Sequence, residues 1–384
     1  MPLDYSSSAN MRNLALLNGL KANGNELYLL THESQTELQH YDNTLCDIDF
    51  KKKYLLKLGS MHSKATMKKG KKNLLKNILY NFLIKFKMYD FKSSLVSKIK
   101  DINIEDTFDV IISSSDPKSS HLLAEEVIKC NPGIAKKWMQ YWGDPFATDI
   151  NNKGFIPKSF IKKEEKRLLS LADYIIYVSP FTLETQQKLY PTYKNKMFFL
   201  PIPYKKPKIY SNNRNGVKKV GYFGDYYSRN REIMQLYKTF DVNNYELIIC
   251  GNSDINLAEK KNIKILKRQS INFIEKLESN CDLLVCICNK KGTQIPGKIY
   301  HYAATNKPIL IILDGNNAEK MKKYFSSFNR YYMCYNNVES ISTAINEIFK
   351  YNKEFTPAKE LNSYYIANKL LNIISFNGDV KNEK

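Results

Sequence analysis

The sequence contains no Cys-x-x-Cys pair, so neither a zinc site nor a disulfide framework is expected from its seven cysteines. Cys250, Cys286 and Cys288 instead sit inside apolar runs, where a free thiol behaves as a small hydrophobe. No apolar run reaches the ~18–20 residues needed to cross a bilayer, and the start carries no signal-peptide pattern. Together these features point to a cytoplasmic location. Arginine is scarce: it supplies only seven of the 59 basic residues, at positions 12, 167, 214, 229, 231, 268 and 330. A net charge of +21 would otherwise invite a nucleic-acid reading, but readers of nucleic acid favour the bidentate guanidinium over lysine. Most of the charge is read instead as a solvated lysine-rich surface, and a second reading is attraction to anionic lipid.

A chain of 384 residues, 43% of them hydrophobic, is too long for one core and predicts two domains. Strand and helix signals alternate throughout, which is the pattern of doubly wound parallel sheets. The clearest stretch is Cys281–Leu313, CDLLVCICNKKGTQIPGKIYHYAATNKPILIIL. It reads as a strand over Asp282–Cys288, a polar loop, a helix, and a second strand over Pro308–Leu313. Both strands are continuous apolar runs, as expected of a sheet covered on both faces. The first turn of the intervening helix would present free N–H groups and partial positive charge, and Lys298 adds a cation, so a phosphate site is expected there. Ligands of such sheets bind beyond the carboxyl ends of the strands, where this loop lies.

The loop Gln294-Ile295-Pro296-Gly297-Lys298, followed by a helix and Lys307-Pro308-Ile309, resembles the donor-sugar loop of GT-B glycosyltransferases of the family 4-like type, which act in bacterial capsule and surface polysaccharide assembly. That resemblance implies two Rossmann-like domains facing across a cleft: residues 1–205 on the acceptor side, residues 206–354 binding the nucleotide sugar, and residues 355–384 a crossing helix with a polar tail. Where the family usually holds the donor ribose with a glutamate, this sequence has His301, and a neutral imidazole accepts only one hydrogen bond.

The opening predicts a helix over Ala9–Lys21, capped by Ser8 or Asn10, then a strand over Glu26–Thr31. The resembled family has a strand before this point, and none fits here; the expectation is a start lying further upstream. Arg12 matches a position often basic near the substrate cleft and is equally readable as a surface cation. Residues 51–100 form a basic insert in which Leu74, Leu75, Ile78, Leu79, Phe82, Leu83 and Phe86 share one helical face. Such a helix suits either an anionic membrane surface or the domain's own core, with the membrane favoured. Asp47-x-Asp49 is a three-residue match to a metal motif and carries little weight.

Phe108–Ser113 reads as a strand, Ser114–Ser119 as a phosphate-loop-like turn, and residues 120–129 as a helix. This resembles the family unit beside the acceptor cleft, which makes Asp116 and His121 candidate substrate contacts; His121 is equally readable as a satisfied histidine at a helix start. Trp142-Gly143-Asp144-Pro145-Phe146 resembles an Arg-Asp-Pro-Trp segment, with Gly143 and Phe146 in place of the arginine and tryptophan. Asp144 is a candidate general base or acceptor-orienting carboxylate, while Gly-Asp-Pro is also ordinary turn chemistry. In the second domain, Gly221 and Gly224 allow close backbone approach. Arg229 and Arg231 flank a helix start, and the resemblance implies that one of them, with Lys298, clamps the donor diphosphate; Arg229 is preferred.

The resemblance therefore implies a hexosyltransferase that passes sugar from a nucleoside-diphosphate donor to a lipid-linked or saccharide acceptor, with retention and without metal or other cofactor. Two rivals are a GT-B-fold epimerase, marked by carboxylates and histidines near the sugar ring, and a non-catalytic partner subunit.

Overall fold

The structure is a computed structural model. It describes residues 2–38, 41–58, 82–83, 85–152, 154–211, 216–241, 244–351 and 353–379, with side chains to residue 375. The chain divides into two units, Met1–Pro201 with Ala367–Lys384, and Ile202–Ile366.

In the first unit, helix α1 spans Ser8–Ala22. Its cap is Ser7, one residue before the expected choice, and the Ser7 hydroxyl accepts the N–H of Asn10 at 3.2 Å. Asn10 is buried and cannot cap, because its amide donates to the carbonyls of Pro2 and Tyr5 at 2.6 and 2.9 Å. Strands β1 (Tyr28–His32) and β2 (Lys52–Leu56) pair in parallel. A 3-10 segment over Phe91–Asp101 leads to β3 (Phe108–Ser114), α2 (Ser119–Cys130), β4 (Ala135–Trp142), α3 (Lys158–Leu171), β5 (Tyr174–Tyr177), α4 (Pro180–Leu189) and β6 (Met197–Phe199). These strands form a parallel sheet in the order β3-β4-β5-β6. Among the described residues β1 and β3 each pair along one edge only, so this unit carries two separate sheets. Most of the expected basic amphipathic helix, including Leu74, Leu75, Ile78 and Leu79, lies outside the described residues.

Helix α3 buries Ile161, Glu165, Leu168 and Leu169, the spacing of one helical face. The buried Glu165 is matched fully: it accepts the N–H groups of Phe146 and Ala147 at 2.7 and 3.2 Å and the hydroxyl of Tyr190 at 2.8 Å. That fixes the backbone directly after Asp144.

The second unit holds β7 (Lys219–Phe223), α5 (Met234–Thr239), β8 (Glu246–Cys250), β9 (Ile263–Leu266), α6 (Ile271–Asn280), β10 (Leu283–Ile287), α7 (Lys298–Tyr302), β11 (Ile309–Leu313), α8 (Ala318–Ser326), β12 (Tyr332–Tyr335) and α9 (Val338–Tyr351). The sheet order is β12-β11-β10-β7-β8-β9, parallel throughout. Strands β10 and β11 are buried at every position, as their unbroken apolar runs require. Val220, Leu247, Val285, Leu310 and Ile345 belong to one continuous core. Helix α10 (Ser363–Asp379) follows, and Tyr174 Oη donates to the carbonyl of Ile374 at 3.0 Å. Among the described residues no helix is long and apolar enough to cross a membrane.

Candidate functional site

Two clusters of ionisable residues stand at carboxyl ends of strands, one in each unit.

In the first unit β3 and β4 end side by side, and the turns that follow bring Asp116, Lys118, Asp144 and Asp149 together. Carboxylate oxygens of Asp116, Asp144 and Asp149 all lie within 4.8 Å of one another. The Lys118 ammonium pairs with Asp116 at 2.6 Å and Asp149 at 2.9 Å, so the acidic group already contains a cation. Lys118 has its pKa raised: burial alone would lower it, but Asp116 and Asp149 hold the charge in place. Arg12 supplies a second positive charge. It is only 6% exposed, its Nη2 donates to the Ser115 carbonyl, and its guanidinium lies 5.1 Å from the centre of the Tyr141 ring.

With two cations facing three carboxylates, one carboxyl must keep its proton for the group to be neutral. Asp144 is the carboxyl whose surroundings favour the proton most, and it gives the proton up near neutral pH. Burial, then the charges of Asp149 and Asp116, push it up to about 7. Asp116 moves the other way: burial opposes its ionisation, yet Lys118 and Arg12 lower its pKa. An acid and a base of the same chemical type, separated by their surroundings, are the raw material of proton transfer near neutral pH.

His121 does not enter this cluster as a titrating group. It is fully buried at the first turn of α2, its Nδ1 lies 2.8 Å from Ser113 Oγ, and its ring stacks on Trp142 at 4.1 Å. Ser113 Oγ also accepts Trp138 Nε1 at 2.9 Å. Burial, aided by Lys118, lowers the imidazole pKa to about 3, so it stays neutral.

In the second unit the turn after β7 and the loop after β10 converge. Gly224 packs so closely on Gly251 that a Cβ on Gly251 would lie 2.1 Å from the Gly224 carbonyl oxygen. The helix expected from Asn230 begins instead at Met234, and the turn before it separates the two arginines. Arg229 is exposed and has no partner among the described residues. Arg231 turns inward: its Nη1 donates to the Asp225 carbonyl at 2.5 Å, and its charge acts on Tyr222, Cys286 and Cys288 at the ends of β7 and β10. Its Nε is buried without a partner. Lys298 opens the helix that follows the loop after β10, and its ammonium lies 5.2 Å from the centre of the Tyr302 ring.

Lys298 is not idle. It donates to Glu278 at 3.2 Å, a carboxylate on α6 whose side chain is 4% exposed and which also accepts the Tyr210 hydroxyl at 3.2 Å. The helix that Lys298 begins has only five residues, too few to build the dipole expected of it. Its first-turn N–H groups are also spent: those of Ile299, Tyr300 and His301 donate to the carbonyls of Pro296 and Gly297. The N–H groups that remain at this helix end are those of Gly297 and Lys298, and the Lys298 side chain adds its positive charge beside them.

No sequence family and no curated protein matches the chain. Solved structures do. The chain superposes on HepE of Anabaena in complex with UDP-glucose with a TM-score of 0.53, at 11% identity, over 97% of this chain and 94% of that one. It matches the apo form of the lipopolysaccharide outer core galactosyltransferase WaaB with a TM-score of 0.51, at 11% identity, over 92% of this chain and all of that one. The fold is that of the GT-B glycosyltransferases.

Within this GT-B chain the structure gathers Arg12, Asp116 and Asp144 in the first unit. In the second it places Gly224, Gln294, Ile295, Pro296, Gly297, Lys298 and His301 around the ends of β7 and β10. Gln294, Ile295 and Pro296 are buried, and Gly297, Lys298 and His301 are half-buried. The reading of Arg12 as a surface cation is overturned by its burial. Three residues of the clusters escape sequence reasoning: Lys118, Asp149 and Glu278. Lys118 lies two residues from Asp116, which is a local signal. Asp149 and Glu278 carry none, because only the fold brings them to their partners.

Proposed function

We propose that the protein is a nucleotide-sugar-dependent hexosyltransferase of bacterial surface polysaccharide synthesis, acting on a lipid-linked or saccharide acceptor, with retention and without metal. The observation that carries this reading is the meeting of the turn after β7, which leads to Arg231, with the loop after β10, which leads to Lys298: the Lys290 N–H donates to the Asn230 carbonyl at 2.8 Å and its ammonium to the Ser228 carbonyl at 3.1 Å. Two cations there suit a diphosphate, and they stabilise the charge that develops on the departing nucleoside diphosphate. UDP and UDP-glucose are the ligands of the HepE structures with this fold, which favours a uridine donor. Asp144, with its pKa near neutrality, serves the acceptor side as an orienting or proton-accepting carboxylate.

The test is thermal stability with a panel of nucleoside diphosphates, without and then with divalent metal. A ligand bound to the folded state at about 100 times its Kd adds about 2.7 kcal/mol. A metal-independent shift with UDP that Lys298→Ala removes supports the donor site. A flat panel from a folded protein would sink it and leave the partner-subunit reading.

A second reading, a GT-B-fold nucleotide-sugar epimerase, is favoured by one observation, the gathering of Asp116, Asp144 and Asp149. Incubation with UDP-N-acetylglucosamine and no acceptor separates the two, because only an epimerase changes the sugar.

A further inference from the structure

The chain enters the second unit at Ile202, and Pro203 and Pro207 keep the passage that follows out of any helix. This passage is fastened to the loop after α7. The Lys208 N–H donates to the Ala304 carbonyl at 2.8 Å and the Tyr210 N–H to Asn306 Oδ1 at 2.9 Å. Asn306 Nδ2 returns a bond to the Tyr210 carbonyl at 2.9 Å. With the backbone held in this way, the side chains of Lys208 and Tyr210 both reach α6.

There Glu275 and Glu278, spaced i and i+3, share one helix face. Lys208 Nζ pairs with Glu275 at 2.7 Å and lies 3.8 Å from Glu278 Oε2. The Tyr210 hydroxyl donates to the same Oε2 at 3.2 Å. Burial, then the charges of Glu278 and Glu275, raise the Tyr210 pKa, so the hydroxyl keeps the proton it donates. The other oxygen, Oε1, takes the Lys298 ammonium at 3.2 Å. Glu278 divides its two oxygens between the entering passage and the lysine that opens α7.

A carboxylate as buried as Glu278 is costly to leave without partners. When Lys298 turns to a phosphate, Oε1 is vacated and the charge rests on the groups that hold Oε2. Tyr210 and Lys208 supply that hold. Remove them, and Glu278 keeps Lys298 more firmly.

We propose that Lys208 and Tyr210 are positioning residues of the nucleotide site, which set the affinity for a nucleoside diphosphate through Glu278 without touching the ligand. The inference rests on the reading of Lys298 as a phosphate ligand and carries the site's control back to the passage by which the chain enters the unit.

The experiment is calorimetric titration of the full chain with UDP, with a melting curve for every variant. Lys208→Gln/Tyr210→Phe raises the Kd by about tenfold, in keeping with the loss of hydrogen bonds to a charged group. In a Glu278→Gln background the same pair changes the Kd by less than about twofold, because the carboxylate through which it acts is gone. Tyr210→Phe alone keeps the ring and its backbone bonds, and it carries the test if the double variant fails to fold. Equal weakening in both backgrounds would show that the pair only shapes the loop, and the inference would be rejected. No weakening by the pair, beside a clear loss in Lys298→Ala, would reject it and leave the donor site standing. Folded wild-type protein that binds no nucleoside diphosphate would overturn both.

Discussion

The guanidinium of Arg12 fills the space that a side chain at residue 143 would occupy: a Cβ on Gly143 would lie 1.8 Å from Arg12 Nη1 and 2.6 Å from Cζ. The segment that Trp142–Phe146 resembles carries an arginine at that position. Here the positive charge reaches the same backbone from α1.

That contact predicts a coupled pair of substitutions. Gly143→Ala forces the Arg12 side chain off its seat and costs about 1–3 kcal/mol, the usual range for overpacking. In an Arg12→Ala background the same change costs much less, since the space is then empty. A double-mutant cycle from urea denaturation measures the coupling, and additive effects would show that the two residues do not meet.

Asp144 predicts a pH dependence of stability. Its folded pKa, about 7, lies above the ordinary value of 3.8, so the native state holds a proton that the unfolded chain has released. The stability this residue contributes is complete at low pH, falls as pH rises between those two values, and levels off above them. Asp144→Asn removes that slope and raises the melting temperature relative to wild type at pH 8, with little difference near pH 4. If the two melting curves ran parallel with pH, the raised pKa would be wrong.

Lys118 predicts a buried-charge penalty. Lys118→Met leaves Asp116 and Asp149 facing Asp144 with Arg12 as their remaining cation, and breaking such a pair from one side costs about 3–5 kcal/mol. Acid should restore part of the loss as the carboxylates take up protons. A denaturant titration at two pH values checks both statements.

The two neighbouring arginines predict unequal effects on nucleotide binding. Arg231→Ala and Lys298→Ala should each weaken UDP by about tenfold or more, as expected for a charge-assisted contact of about 1.5–3 kcal/mol. Arg229→Ala should change the Kd by less than about threefold, since an exposed charge is screened by solvent. Calorimetric titration distinguishes them, and the reverse ranking would restore the reading made from sequence.

The fold was legible because its signals are local. Unbroken apolar runs such as Leu283–Ile287 and Ile309–Leu313 mark buried parallel strands, and the proline-rich passage after Leu200 falls where the two units divide. The sites were legible only in part. Asp116 and Asp144 stand in turns and Lys298 opens a short helix, places where the residue type alone draws notice. The ionic partners Asp149 and Glu278 draw none, since a carboxylate on a turn or a helix looks like any solvated one until the chain has folded. Arg229 and Arg231 look alike in the sequence, and what differs between them in the fold, an exposed guanidinium against one that bonds the Asp225 carbonyl, follows from the turn ahead of a helix that begins at Met234.

The ion pair between Lys298 and Glu278 makes nucleotide binding a contest between anions rather than the filling of a vacancy. At the proposed donor site an incoming phosphate would draw the ammonium from a carboxylate that has almost no access to water and that, among the described residues, would keep Tyr210 and, at 3.8 Å, Lys208 as polar company. The affinity measured is then the difference between two pairings of one cation. Neutralising the rival, as Glu278→Gln does, should tighten the nucleotide, so a variant that discards a native ion pair becomes the better binder.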